Sequence, residues 1–356
     1  LHSVYNSINR GEVYVEGTWS SAGTKGAQGT GGQVQPNFGG VAGSVGHYSI
    51  VGSNVIDNCV NYGPLTLKPA ILPTAGTQNY FGGVVGWSSV NVTNCYNYGD
   101  MTVNSGGLYA YCGGVVGYTL GSCFTNNCAN YGDISLTHDV TESTKAAVMS
   151  GEDNVRTFFA GVSAYALGSV SNCHNYGNAT VSTNTRNAYC GSVVGYANGS
   201  SPISNCSNSG AFTYEINNIA NVLSDYTGSA PYHYIGGVIG KGDTNIDNIV
   251  NEQTGSLTVT TNVAGDFGGV VGYTAGNNIK LENKAPITID FTNKGQSCAA
   301  QCMIAGVVAK NYAKTSSSKV NVDSCVNSGN LTIKNLAYTA NYAYIGGIIG
   351  SNDIDG

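Results

Sequence analysis

Charge is scarce in this chain. Lysine and arginine number 14 and aspartate and glutamate 20 among 356 residues, leaving a formal net charge of -6. Nucleic acid and anionic membrane surfaces are held by basic patches, so neither is expected as a partner. Long apolar runs are missing too: nothing approaches the ~18 residues of a membrane-spanning helix, and no membrane span is expected. The chain opens on Leu1 with no signal peptide behind it, which reads as a mature or trimmed polypeptide.

Catalytic groupings are equally thin. Arginine occurs only at Arg10, Arg156 and Arg186, in unlike contexts, and the five histidines are isolated. An enzyme cleaving acidic polysaccharide needs clustered carboxylates with basic partners, whereas Asp57, Asp247 and Asp323 share a position in units far apart. No Ser/His/Asp or nucleotide-loop pattern is present. Asp243-x-Asn245-x-Asp247 and Asp353-x-Asp355-Gly356 lack the remaining ligands of a calcium loop and read as polar turns. The expectation is a non-enzymatic protein with no cofactor and no metal.

What is abundant is glycine, 51 residues, and tyrosine, 24, in a chain that is 41% hydrophobic. That is too apolar and too uncharged for disorder, and too rich in Gly and Asn for long helices. These residues recur in a unit typified by Tyr80 to Val103, a Gly-Gly-Val-Val-Gly run followed by Asn-Cys-x-Asn-Tyr-Gly and an alternating tail. The doublet position falls at Gly39-Gly40, Gly82-Gly83, Gly113-Gly114, Ala160-Gly161, Gly191-Ser192, Gly236-Gly237, Gly268-Gly269, Ala305-Gly306 and Gly346-Gly347, nine copies in all. Steps between copies run from 31 residues (Gly83 to Gly114) to 47 (Gly114 to Gly161), the period of a solenoid or propeller.

The whole chain, 1–356, reads as one repeat domain. It has a half-unit at 1–16, a Gly/Ser-rich loop at 17–37, repeated units at 38–343 and a closing half-unit at 344–356. Longer insertions, from Pro64 to Asn79, Thr137 to Thr157 and Ala211 to His233, all precede the next doublet and map to one edge. Within the last, Ile216, Ile219, Ala220 and Leu223 have the spacing of a short helix.

Each column of the repeat has a physical reading. A β-branched residue follows every doublet, as a core-filling strand demands, and paired glycines inside a strand mark a sharp corner or a close backbone approach; the corner is the reading adopted. Cys59, Cys95, Cys128, Cys173, Cys206 and Cys325 form a column that Ile249 and Leu281 continue, so the slot is apolar and inward. Cys123 with Cys128, or Cys298 with Cys302, are the candidate bridges among eleven cysteines, and the redox compartment stays open. Asn9, Asn61, Asn97, Asn130, Asn175, Asn208, Asn251, Asn283 and Asn327 recur in every unit and predict a stacked amide ladder at a corner, with the glycine two residues on supplying positive φ.

Two aromatic columns remain, Tyr62, Tyr98, Tyr131 and Tyr176 in one, and Trp87, Tyr118, Tyr165, Tyr196 and Tyr273 in the other. Coil-to-coil stacking is one reading of both. A glycan-binding strip is the other, assigned to the Trp87 column.

The unit resembles the GLUG-motif repeats of bacterial cell-surface and secreted proteins, which pair a Gly-x-apolar-apolar-Gly run with an Asn-Cys/Ser-Tyr-x-x-Gly turn. The likeness spans nearly the whole chain, with departures at Gly191-Ser192, Asn251 to Gly255 and Glu282 to Pro286. It implies a bacterial, extracellular or cell-surface β-solenoid of adhesin-like or scaffolding role, and it carries no catalytic residues.

The fold expected is all-β: a right-handed parallel β-helix of about nine coils, with roughly three short strands per coil. A β-propeller is the alternative. Because the chain opens on the second half of a unit and closes on the first, we expect a structural subunit of an extracellular fibre, a homopolymer assembled head to tail by completion of the split coil. Val4, Tyr5, Ile8, Val13 and Val15 would meet Ile345, Ile348 and Ile349 there. The alternative is a surface adhesin that holds a glycan or host surface protein on its aromatic strip and loop edge, or an excerpt of a longer repeat protein.

Overall fold

A computed structural model describes residues 3–19, 35–46, 54–71, 78–140, 155–199, 201–216, 232–261, 263–291, 301–313, 320–336 and 342–354. Among them every strand pairing is parallel and joins one repeat to the next, and no helix is formed. Propeller blades are antiparallel sheets, so this is a parallel β-helix. The segment expected to be helical lies at 217–231, outside the described residues; Ile216 itself ends the strand Ala211–Ile216.

The coil has four sides where three were expected. In the turn typified by Tyr80 they are a doublet side (Gln78–Gly82), a valine side (Val85–Ser88), an asparagine side in two short pieces (Asn91–Thr93 and Tyr96–Asn97) and a threonine side (Met101–Ser105). Each side stacks into its own sheet, three of nine strands and one, on the asparagine side, cut into fifteen. Val84, Val85, Val90 and Val92 are divided between two sides, parted near the buried Ser88 and Ser89.

The nine-fold count holds on every side, so the body is nine whole turns. The first uses Val4–Tyr5, Ile8–Asn9, Val13–Trp19, Asn37–Gly39 and Ala42–Val45; the last runs from Val322–Asp323 to Ile349–Ile354. The two half-units are therefore not halves of one coil. The chain completes the turn begun at Val4 itself, and any stacking sets whole turn on whole turn.

A waist divides the core in two. Side chains of the threonine and doublet sides, such as Leu67, Val103, Phe81 and Phe159, fill one lobe; Val85, Val92 and the cysteine column fill the other. At the waist the second doublet glycine of the inner turns meets the ladder asparagine across the coil: a Cβ on Gly83 would lie 2.6 Å from the Asn97 amide carbon and 1.9 Å from the Gly114 carbonyl oxygen of the next turn; where that position is Ser192, its hydroxyl donates to Gly237 O. No doublet glycine has positive φ. Close approach, rather than corner conformation, is what favours glycine here.

The same correction applies one side away. Gly99, Gly132 and Gly177 do not take positive φ; a Cβ on Gly132 would lie 2.2 Å from the Gly99 carbonyl oxygen. The left-handed residue is the first asparagine of the motif, at Asn6, Asn58, Asn94, Asn127, Asn172, Asn205 and Asn248, with φ of 49 to 54°. Asparagine tolerates that region, and there it bends the asparagine side between its two pieces.

Candidate functional site

The ladder runs unbroken through the body. Asn9 Nδ2 donates to Asn61 Oδ1, Asn61 to Asn97, Asn97 to Asn130, Asn130 to Asn175, Asn175 to Asn208, Asn208 to Asn251, Asn251 to Asn283 and Asn283 to Asn327, at 2.8 to 3.1 Å. Most of these nitrogens also donate to the carbonyl two residues on, as Asn97 does to Gly99 O at 2.8 Å. A carbonyl only accepts, so the orientation of the amide is fixed by the backbone. Every amide points the same way, oxygen toward the first turn and nitrogen toward the last.

Burial changes at the two ends. The inward position of the doublet strand holds Phe81, Cys112, Phe159, Cys190, Ile235, Phe267 and Ile304, all fully buried, yet Ile345 in the last turn is 51% exposed. Val13 and Val15 at the other end, and Ile348 and Ile349 beside Ile345, are half-buried members of the same two lobes. Val4 faces inward with them. Tyr5 and Ile8, paired with Asp57 and Val60, lie on the outer flank rather than on the end. In inner turns a Cβ on the second doublet glycine would strike the carbonyl of the following turn, whereas one on Gly347 would meet nothing within 4 Å.

The cysteine column sits inside the valine and asparagine lobe. Cys59, Cys95, Cys128, Cys173 and Cys206 are buried free thiols, and Cys325 in the last turn is half-buried. Each Sγ lies against the carbonyl two residues back, Cys95 to Thr93 O at 3.1 Å for example. Cys112 and Cys190, outside that column, fill the inward position of the doublet strand, and burial pushes their thiols up. Cys123 and Cys128 are not bridged, and Cys298, the other half of the second candidate bridge, lies outside the described residues.

The Trp87 column is placed unlike a surface strip. The doublet and valine sides meet at an outward notch, and aromatic rings from both fill it: Tyr80, Tyr111, Phe158, Tyr189 and Tyr234 from one, Trp87, Tyr118, Tyr165, Tyr196 and Tyr273 from the other. Trp87 is 1% exposed, Tyr196 is buried, and Tyr118, Tyr165 and Tyr273 are half-buried. Doublet-side rings stack turn on turn at 4.6 to 5.2 Å; Tyr118, Tyr165 and Tyr273 meet them edge-on, as in Tyr80 with Tyr118 at 5.4 Å, while Tyr196 lies parallel to Tyr189 at 5.1 Å. The exposed aromatic column is the other one. Tyr98 is 43% exposed and stacks on Tyr62 and Tyr131 at 5.0 and 4.5 Å, with the Arg10 guanidinium 5.0 Å from the Tyr62 ring centre.

The notch is interrupted once the aromatic series reaches the seventh turn, where Asp266 takes the ring position. Its side chain is fully buried, accepts a hydrogen bond from Tyr232 Oη on Oδ1, and leaves Oδ2 without a partner among the described residues. Burial raises its pKa from 3.8 to about 7. A cavity of about 460 Å³ opens beside it, lined by Tyr232, Tyr234, Asp266, Tyr273, Gln301, Lys310 and Tyr342. One turn back Lys241 Nζ lies 4.9 to 5.8 Å from the centres of Tyr189, Tyr196, Tyr234 and Tyr273, 4.0 Å from Asp243. Sequence reasoning missed this recess, although one signal was present: a single acid in a column otherwise mostly aromatic.

Among the described residues no group of three or more His, Cys, Asp or Glu is arranged to hold a metal, and no helix is long and apolar enough to cross a membrane. No family model, curated protein or solved structure matches the chain.

Proposed function

We propose that the chain is a non-enzymatic structural subunit that stacks end on end into an extracellular fibre, the last turn of one copy seating on the first turn of the next. Both end turns carry the inward residues of the two lobes in half-open form, so burying them releases apolar surface from water. The ends also differ in sign of hydrogen bonding. The ladder offers Asn9 Oδ1 at one end and Asn327 Nδ2 at the other, so head-to-tail contact extends it, while like ends would oppose two acceptors or two donors. Such a heterologous contact does not close and gives a filament. Placement outside the cell rests on the GLUG-like unit.

The observation that carries this reading is the ladder, whose amide bonds all run one way along the axis from Asn9 to Asn327. Purified chain viewed by negative-stain microscopy is expected to form unbranched fibres with a subunit repeat of roughly 43 Å, nine turns at about 4.8 Å each. Gly347→Ala is expected to leave the monomer folded and stop fibre growth. Monodisperse short rods at every concentration would overturn the proposal.

A further inference from the structure

We infer that the recess at Asp266 is a binding site for a neutral hexopyranose residue, a role separate from end-to-end stacking and independent of it. The argument begins with the ring that is absent. From Tyr80 to Tyr234 the notch rings stack on the next turn's ring, but beyond Tyr234 the next position is Asp266 and the one after is Met303. The face of Tyr234 turned toward the last turn is thus not stacked by a doublet-side ring of the following turn, and the Lys241 ammonium lies 5.0 Å from its centre. Tyr232 stands at 50° to it, and Tyr273 meets it edge-on at 5.4 Å, so the walls of the recess are ring surfaces set at angles to one another.

The polar groups are few and convergent. Asp266 Oδ2 is a buried acceptor with an unmade bond, and Gln301 and Lys310 add an amide and an ammonium at the same cavity. A buried polar atom left unpaired is costly, so a ligand hydroxyl that reaches Oδ2 recovers a bond the protein does not make. Aromatic walls, a handful of placed polar groups and a volume of about 460 Å³ fall in the range of small-molecule sites.

Charge selects among ligands. A cation would face Lys310 and Lys241, and an anion would face Asp266 with Asp243 and Asp353 nearby; the lysines are already balanced, Lys310 by Asp353 at 3.8 Å and Lys241 by Asp243 at 4.0 Å. A neutral polyhydroxyl ring suits what remains. Its C–H face lies on a tyrosine, and its hydroxyls both donate to Asp266 and accept from Lys310 or Gln301.

The test uses the 356-residue chain and a panel of methyl hexopyranosides of gluco, galacto, manno and N-acetylglucosamine configuration, read by saturation-transfer NMR and calorimetry. At least one glycoside is expected to bind. Asp266→Asn is expected to weaken it at least tenfold and Tyr273→Ala to abolish it, while Tyr98→Ala on the exposed ladder leaves it unchanged. If either notch variant fails to fold, Lys310→Ala and Gln301→Ala at the rim are each expected to weaken binding severalfold. Silence across the panel, binding that survives these substitutions, or preference for methylated amines over every sugar would overturn the assignment.

Discussion

The turn from Gln78 to Ser105 and the last turn, from Val322 to Ile354, are written in the same pattern and stand in different surroundings. In the first, Phe81, Val92, Cys95 and Val103 are wholly buried; in the second, their counterparts Ile345, Val322, Cys325 and Ile333 are half-buried or exposed. Pattern decides which way a side chain faces, and the neighbouring turn decides whether it is covered. Stability in such an array is a sum of per-turn terms and contacts between neighbours. An inner turn has two neighbours and an end turn one.

The sharpest way to break this comparison is the glycine doublet. Gly114→Ala would place a Cβ 2.0 Å from the Gly161 carbonyl oxygen, where backbone has to move, while Gly347→Ala meets open space. The inner substitution is expected to cost at least about 3 kcal/mol or prevent folding, and the outer one under about 0.5 kcal/mol, both read by urea unfolding of the monomer.

The ladder comes next. Asn130→Ala removes two links, leaves Asn97 Nδ2 short of one acceptor and Asn175 Oδ1 short of its donor, and is expected to cost about 2 to 4 kcal/mol. Asn327→Ala removes one link at the edge and is expected to cost about 1 kcal/mol. Hydrogen exchange would show the inner defect spreading to turns on both sides, the outer one staying local.

Acidity separates two kinds of buried titratable group in the inner turns. Asp266 has its pKa raised by burial from 3.8 to about 7, so its contribution is complete below pH 3.8 and disappears as pH rises toward 7. Tyr232, Lys310 and Lys241 act against that burial, and Asp353 with it. His138 and His233, lowered by burial from 6.5 to about 4, contribute fully above pH 6.5 and lose it as pH falls through about 4. Each group contributes a slope of roughly 1.4 kcal/mol per pH unit within its window. Two histidines outweigh one carboxyl, so these groups make stability rise from about pH 4 to 6.5 and dip toward 7. Asp266→Asn is expected to abolish the dip and steepen the acid loss, measured as urea midpoints from pH 4 to 8.

The smallest expected effect is chemical. In native protein a bulky thiol reagent is expected to label Cys325 first and the five inner column thiols only on unfolding, since those are buried and Cys325 is not. Equal labelling rates along the column would mean the turns open together instead of fraying from the ends.

Much of this architecture was legible in the residues. The nine asparagines, the cysteine slot that isoleucine and leucine also fill, and the β-branched residue after each doublet point to stacked parallel turns. The fourth side was not, because the doublet and valine strands lie on either side of the glycine pair with no polar turn residue between them. Nor was the waist: a glycine needed for corner conformation and one needed for close approach look alike in sequence. Outward orientation was readable for the Trp87 column, but an outward face in a notch is dry, and alternation along one strand carries no record of the strand it leans on. Asp266 matters for the same reason, since its meaning comes from the rings above and below it.

Interchangeable turns also make length a discrete quantity. Removing one complete circuit, from Tyr109 through the strand Ala129–Asn130 to Ile134–His138 and on to the start of the strand Arg156–Ala160, would shorten the rod by about 4.8 Å. Both terminal surfaces would keep the residues they have. A lineage that gains or loses circuits by recombination can therefore reset the span of this ruler without redesigning either end.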